Sequence, residues 1–170
     1  KNLIKHYGDV KAVDSINFDI KDGEIVGFLG ANGAGKSTTL KVITGYIAAT
    51  SGTVFINGMD IQKHSLQIRK LVGYLPESNP LYLEMTVYEL LKFTANIREI
   101  FNNNFNNALE RVITQCGLSG VVHKEIRACS KGYRQRVGLA AAMIHDPKIL
   151  ILDEPVTGLD PNQIVEVREL

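Results

Sequence analysis

The sequence predicts an α/β fold: a core of buried strands and helices, an antiparallel flank, and an inserted α-helical subdomain. Three observations predict it. An apolar run at residues 25–29 (IVGFL) leads into the glycine-rich stretch GANGAGKST, residues 30–38, and a helical pattern follows to about Tyr46. A second apolar run, residues 149–152 (ILIL), ends in Asp153-Glu154. Between them, residues 79–146 read as helical. Short apolar runs of this kind fit a sheet covered on both faces.

Each element follows in order. Residues 13–20 alternate, with Ile16, Phe18 and Ile20 on one face, as in a half-buried strand. Lys21-Asp22-Gly23-Glu24 supplies a turn. Residues 25–29 form a buried strand, and a helix starts near Gly35. Residues 53–56 alternate again and stop at Asn57-Gly58, a turn signal. Residues 63–71 read as helix and 71–75 as a short strand ending at Pro76. Thr86-Val87-Tyr88-Glu89 has capping-box spacing, with Leu90, Leu91 and Phe93 behind it. The Asn-rich stretch 102–107 ends this helix in a loop, and 109–116 is helical again. Residues 149–152 form a strand buried on both faces, closed by Asp153. No internal repeat interrupts this order.

Composition narrows the function. At 170 residues the chain can build one core, or a core and a small lobe. It is 45% hydrophobic and 22% charged, the balance of a globular protein. Net charge is +1, which gives no electrostatic basis for binding nucleic acid or a membrane surface. No apolar run approaches the roughly 18 residues a span needs, and no signal peptide opens the chain. Cys116 and Cys129 lack metal or redox spacing and suit a reducing cytoplasm. His6, His64, His123 and His145 lie far apart and read as surface or core. Lys1 opens without Met and residues 167–170 stop inside a helical pattern, so a fragment incomplete at both ends is expected.

The chemistry begins with the pattern G-x-x-x-x-G-K-[ST], met by Gly30, Gly35, Lys36 and Ser37. Glycines admit φ > 0 and leave no side chain in the way, so backbone N–H groups can turn toward a phosphate chain. Lys36 would reach the β- and γ-phosphates, Ser37 would bind Mg²⁺, and the following helix would add its N-terminal partial charge. A glycine-rich turn that happens to carry Lys-Ser is the plain alternative; the strand–loop–helix setting weighs against it. Asp153, at the carboxyl end of a strand, is placed to bind Mg²⁺. Glu154 beside it is placed to orient or deprotonate water, which favours hydrolysis over group transfer. A solvated strand end with two acids is the alternative there. A GTPase would carry an Asn/Thr-Lys-x-Asp motif, and none occurs. Ser130-Lys131-Gly132 precedes another helix, a second N-terminus able to take phosphate or simply a capped helix.

With CSKGYRQRVGLAAAMIHDP, residues 129–147, the chain resembles the ATP-binding subunits of ABC transporters along essentially its whole length. Tyr7 matches the aromatic residue that stacks on adenine. Residues 30–38 match Walker A, 130–133 the signature, 149–154 Walker B with its catalytic Glu, and 157–161 the D-loop with Asp160. The resemblance implies a P-loop NTPase: one ABC ATPase domain with a RecA-like core at 1–78 and 147–170 and a helical subdomain at 79–146. It implies ATP held by Tyr7, Gly30, Asn32, Gly33, Ala34, Gly35, Lys36, Ser37 and Thr38. It implies Mg²⁺ on Ser37, Glu77 and Asp153, and catalysis by Glu154, Lys36 and Asp153. Ser130, Lys131, Gly132 and Tyr133 would face the ATP of a partner subunit. The implied partners are a second ATPase subunit, in a homodimer, and separate transmembrane permease subunits, with no nucleic acid. The implied location is cytoplasmic, on the inner face of the cell membrane.

Three departures from the pattern matter. Lys131 and Tyr133 replace the usual second Gly and the Gln of the signature, and Lys131 adds attraction for a γ-phosphate. Glu77 stands where most importers have Gln; it still ligates Mg²⁺ or its water but adds a negative charge. Both look like the branch serving drug, polysaccharide and gliding-motility exporters, and SKGYRQR is closest to the gliding-motility ATPases. The switch histidine is absent and is expected beyond Leu170; His145, upstream of Walker B, cannot substitute. Two rivals remain. A soluble ABC ATPase of translation or DNA repair usually has tandem domains or a long coiled coil, whereas this insertion is short and lacks heptads. A non-catalytic regulatory module is disfavoured by intact Lys36, Asp153 and Glu154.

Overall fold

The computed structural model describes residues 1–156 and 161. They belong to two compact units, Lys1–Arg69 and Lys70–Leu170.

In the first unit, β1 (Leu3–Tyr7) and β2 (Val10–Ile16) pair antiparallel, with Tyr7 opposite Val10 and Leu3 opposite Ile16. Buried Leu3 and Val13 pack with Val42 of helix α1 (Lys36–Ile43), bordered by Ile16, Ile47, Ala49 and Val54. β3 (Phe55–Ile56) and β4 (Met59–Asp60) form a hairpin. Asn57 and Gly58, at φ 48° and 74°, make the turn, as two positive-φ positions of a tight hairpin require. The turn at 21–24 also forms, closed by the Glu24 N–H donating to Lys21 O at 3.2 Å. Helix α2 (Ser65–Leu71) carries the chain onward.

Two expectations fail in this unit. The alternating strand at 13–20 stops at Ile16, leaving Phe18 and Ile20 exposed. Ser15 takes a left-handed φ of 49°, and the amides of Asn2 and Asn17 bond each other where ladder bonds would continue. Such side-chain bonds compete with a ladder. Residues 25–29 form no strand; Ile25 and Leu29 are more than nine-tenths exposed. An apolar run reports what a strand could bury. A strand exists only where a neighbour supplies ladder bonds, and among the described residues none pairs with this run.

The second unit holds β5 (Val72–Leu75) and β6 (Ile149–Leu152), paired parallel from Val72↔Ile149 to Leu75↔Leu152. β6 is half-buried, not buried on both faces: Leu150 and Leu152, which share one face, remain over a third exposed. Three helices build the core: α3 (Val87–Ile97), α4 (Asn102–Gln115) and α5 (Lys131–Met143). Thr86 caps α3 in a full capping box: the Glu89 N–H donates to Thr86 Oγ1 (3.2 Å) and the Thr86 N–H to Glu89 Oε2 (2.8 Å). The Thr86 N–H, and then the Thr86 hydroxyl donating to the same Oε2 at 2.9 Å, hold the Glu89 carboxyl below its ordinary pKa. Val87, Leu90, Leu91 and Ala95 follow at helical spacing and are buried.

The expected loop at 102–107 is instead the first turn and a half of α4. Its Asn side chains are exposed, but Phe105 between them is buried and meets the Tyr88 ring edge-on at 5.9 Å. Phe105, Val112 and Cys116 extend the buried stripe, so packing overrides weak propensity. Arg111 on α4 closes the end of α5, donating to Met143 O (3.1 Å) and Ile144 O (3.2 Å). Among the described residues, no helix is long and apolar enough to cross a membrane.

Candidate functional site

The first unit carries the glycine loop. α1 begins at Lys36 with Gly35 as its N-cap, at φ 84°. A Cβ there would stand 2.2 Å from Ala12 O, so both backbone conformation and contact with β2 demand glycine. Thr39, buried, donates through its hydroxyl to Gly35 O at 2.9 Å and pins the same turn. No acid occupies the first turn of α1, so its amide end keeps its positive character. Lys36 Nζ donates to Gly30 O (2.9 Å) and Ala31 O (3.2 Å), drawing the loop into a ring around the ammonium. Asn32, Gly33 and Ala34 form the exposed tip, with Gly33 at φ 80°. Ser37 and Thr38 follow in the first turn of α1.

Tyr7 ends β1, half exposed, with Lys5 Nζ 5.1 Å from its ring centroid. Its cross-strand partner Val10 lies two residues from Ala12, the residue against Gly35. Two strand residues span about 7 Å, so β2 brings the aromatic ring and the loop into one neighbourhood.

The second unit carries the carboxylates. The register ending at Leu75↔Leu152 sets Pro76-Glu77 and Asp153-Glu154 side by side at the carboxyl edge of β5 and β6. Asp153 is buried; its N–H donates to Leu75 O (2.9 Å), and the Tyr74 hydroxyl donates to its Oδ2 at 3.5 Å. Glu77 is exposed. Glu154 is partly buried and left-handed at φ 49°, a strained setting for a residue with a Cβ, of the kind that collects at functional sites.

Ser130 is the N-cap of α5 and accepts from the Tyr133 N–H at 3.2 Å. Lys131 and Tyr133 are exposed, Gly132 is buried, and the Arg136 guanidinium lies 5.4 Å from the Tyr133 ring. Asp160 and the rest of 157–160 lie outside the described residues. Sequence reasoning missed Tyr74 and Asn79, which touch the Asp153 carboxylate and α5. Asn79-Pro80 signals a turn but not what the Asn side chain meets.

A glycine-rich loop that ends in a lysine at a helix start is equipment for binding phosphate, and a strand edge of hard oxygen donors is equipment for the metal ion that accompanies nucleotide phosphates. Comparison with known proteins agrees and goes further. Residues 13–157 match the family model described as ABC transporter. The bacitracin transport ATP-binding protein BcrA of Bacillus licheniformis is 41% identical over 169 residues, covering 99% of this chain and 54% of that protein. The probable multidrug ABC transporter ATP-binding protein YbhF of Escherichia coli K12 is 38% identical over 161 residues, covering 95% of this chain and 28% of that protein. A solved ATP-binding subunit of an ABC transporter superposes with a TM-score of 0.86 at 31% identity, covering 99% of this chain and 70% of the other. The chain belongs to the ABC transporter family, as an ATP-binding domain of the P-loop NTPase fold. It spans about half or less of the length of these two relatives.

Proposed function

We propose that this chain is the ATP-binding and hydrolysing part of an export-type ABC transporter, powered by ATP-driven dimerisation. The observation that carries the reading is the acid edge, where buried Asp153 and strained Glu154 end a strand in register with the one leading to Glu77. Lys36 takes the β- and γ-phosphates after leaving its own loop carbonyls, and Tyr7 stacks on adenine. Gly30, Asn32, Gly33, Ala34, Gly35, Ser37 and Thr38 line the phosphates. Ser37, Glu77 and Asp153 would hold Mg²⁺; their oxygen donors suit an ion held by one or two carboxylates together with nucleotide phosphates. Bound Mg²⁺ supplies charge neutralisation on the phosphates. Glu154 orients the attacking water.

Ser130, Lys131, Gly132 and Tyr133 close over the ATP of a second subunit, and Asp160 joins that interface. Two ATP molecules thereby hold a two-fold dimer. Residues 1–78 and 147–170 are the nucleotide core and 79–146 the helical subdomain. On the latter, Tyr82 meets Phe93 edge-on at 5.7 Å, and Phe93 and Ile97 are exposed one helical turn apart. An exposed apolar patch of this kind supports docking to separate permease subunits on the inner face of the cell membrane. The two relatives are named for bacitracin transport and for a multidrug transporter, which supports a transporter role; export and, more finely, the gliding-motility branch rest on the SKGYRQR wording.

The test is the Glu154→Gln variant, whose mass is measured by light scattering with and without Mg-ATP. A monomer that doubles only with Mg-ATP supports the shared site. A variant that binds ATP and stays monomeric overturns it.

A further inference from the structure

Asn79 is the residue between the acid edge and α5. Its N–H donates to Pro76 O at 3.0 Å, closing a turn with Glu77 at the first corner. Its φ of 40° is left-handed, a conformation Asn tolerates better than most residues. Its side-chain amide donates to Arg134 O (2.8 Å) and to Gln135 Oε1 (3.2 Å), both on α5. The notch it enters exists because residue 138 is glycine: a Cβ there would stand 2.1 Å from Asn79 Oδ1. One turn back along α5, the Arg134 N–H donates to Ser130 O at 2.9 Å. On the other side, the Asp153 N–H donates to Leu75 O, the residue before Pro76. A short run of backbone and hydrogen bonds thus joins the Asp153 edge to the Ser130 cap, and the Asn79 side chain carries the step from the turn to α5.

We propose that Asn79, seated in the notch at Gly138, is a positioning residue that fixes the Glu77 turn to α5, so that the seating of the Ser130 end governs the metal-dependent step at the Glu77–Asp153 edge. The inference rests on the proposed ATPase reading for its functional half only. Asn79 itself touches no reacting group. An apolar side chain would keep the turn's own Asn79 N–H to Pro76 O bond but remove its hydrogen bonds to Arg134 and Gln135. A methyl at Gly138 would drive the amide from its notch.

The test uses the full-length protein as wild type, Asn79→Ala, Gly138→Ala and the double variant. The first readout needs no nucleotide. Amide hydrogen exchange at Asn79, whose N–H donates to Pro76 O, and at Arg134, whose N–H donates to Ser130 O, speeds up about tenfold in either single variant, because both bonds open more often once the tether from the Asn79 amide to Arg134 O is gone. The double variant matches Asn79→Ala alone, because the added methyl then has nothing to displace. The second readout is ATPase rate against Mg²⁺. The concentration giving half the maximal rate rises about tenfold in Asn79→Ala, the usual effect of removing a group that orients a metal ligand, while the KM for ATP holds. Exchange confined to the turn, with Arg134 unchanged, overturns the link to α5. Equal effects of Gly138→Ala with and without Asn79 overturn the notch. Unchanged Mg²⁺ dependence in an active variant overturns the functional half. A wild type with no ATPase sinks the ATPase reading and the functional half with it, leaving the exchange result to judge the link.

Discussion

At the residue scale, Gly35 and His145 show how little freedom single positions have. Gly35 joins a φ of 84° to a backbone oxygen 2.2 Å from where its Cβ would be. Gly35→Ala should cost about 2 kcal/mol or more, combining left-handed strain with a displaced strand, and urea unfolding measures it. The glycine was legible from its motif, but its contact with Ala12 was not, since spacing along the chain does not say which strand a loop touches. His145 is the opposite case: four scattered histidines gave no signal. In the fold its Nε2 lies 3.1 Å from Val72 O, and Nδ1 is buried with no hydrogen-bond partner among the described residues. Burial first, then the charge of Arg98, lowers its pKa, with a smaller push from Arg111; the Val72 bond and Asp146 oppose this. The native state therefore holds fewer protons than the unfolded chain below the free value of about 6.5. The stability contributed is fully present above that pH and is lost as pH falls below it. Unfolding free energy should drop between pH 7.5 and 5.5, and His145→Gln should flatten that slope. An identical slope in the variant would remove His145 as the cause.

At the element scale, α3 and α4 mark what pattern reading can reach. α3 announces itself by a capping box and by apolar residues at helical spacing, and both are realised. The start of α4 hides behind asparagines whose propensity is poor; the decisive residue, Phe105, is a single aromatic ring that needs Tyr88 from another helix. The two helices should therefore respond differently to substitution. Thr86→Ala removes a cap and should cost about 1 kcal/mol. Phe105→Ala empties a core site and should cost about 3 kcal/mol or more. Chemical denaturation of both variants ranks them. A Phe105→Ala loss no larger than the Thr86→Ala loss would mean that α4 is held by its own sequence after all. The run at 25–29 failed for the same reason that the start of α4 was missed: a strand, like a weak helix, is decided by its neighbours.

At the scale of the whole molecule, the proposed division of labour between two subunits makes a demand that no single chain can meet. If each ATP is held by the glycine loop of one subunit and the Ser130 segment of the other, a defect in either abolishes both sites of a homodimer. Lys36→Ala and Ser130→Glu should each be inactive alone, the first lacking the phosphate lysine and the second opposing the γ-phosphate with a like charge. Mixed, they should complement. In a mixed dimer one site collects both defects, while the other joins the intact loop of the Ser130→Glu subunit to the intact Ser130 of the Lys36→Ala subunit. An equal mixture yields mixed dimers in about half of pairs, so about a quarter of sites are whole. ATPase activity should rise from background to about that fraction of wild type and peak at the equal ratio. A site completed within one chain gives no such peak, because neither parent contains a whole one to share. The ratio dependence thus separates a shared site from a private one without requiring the transported substrate or the permease to be known.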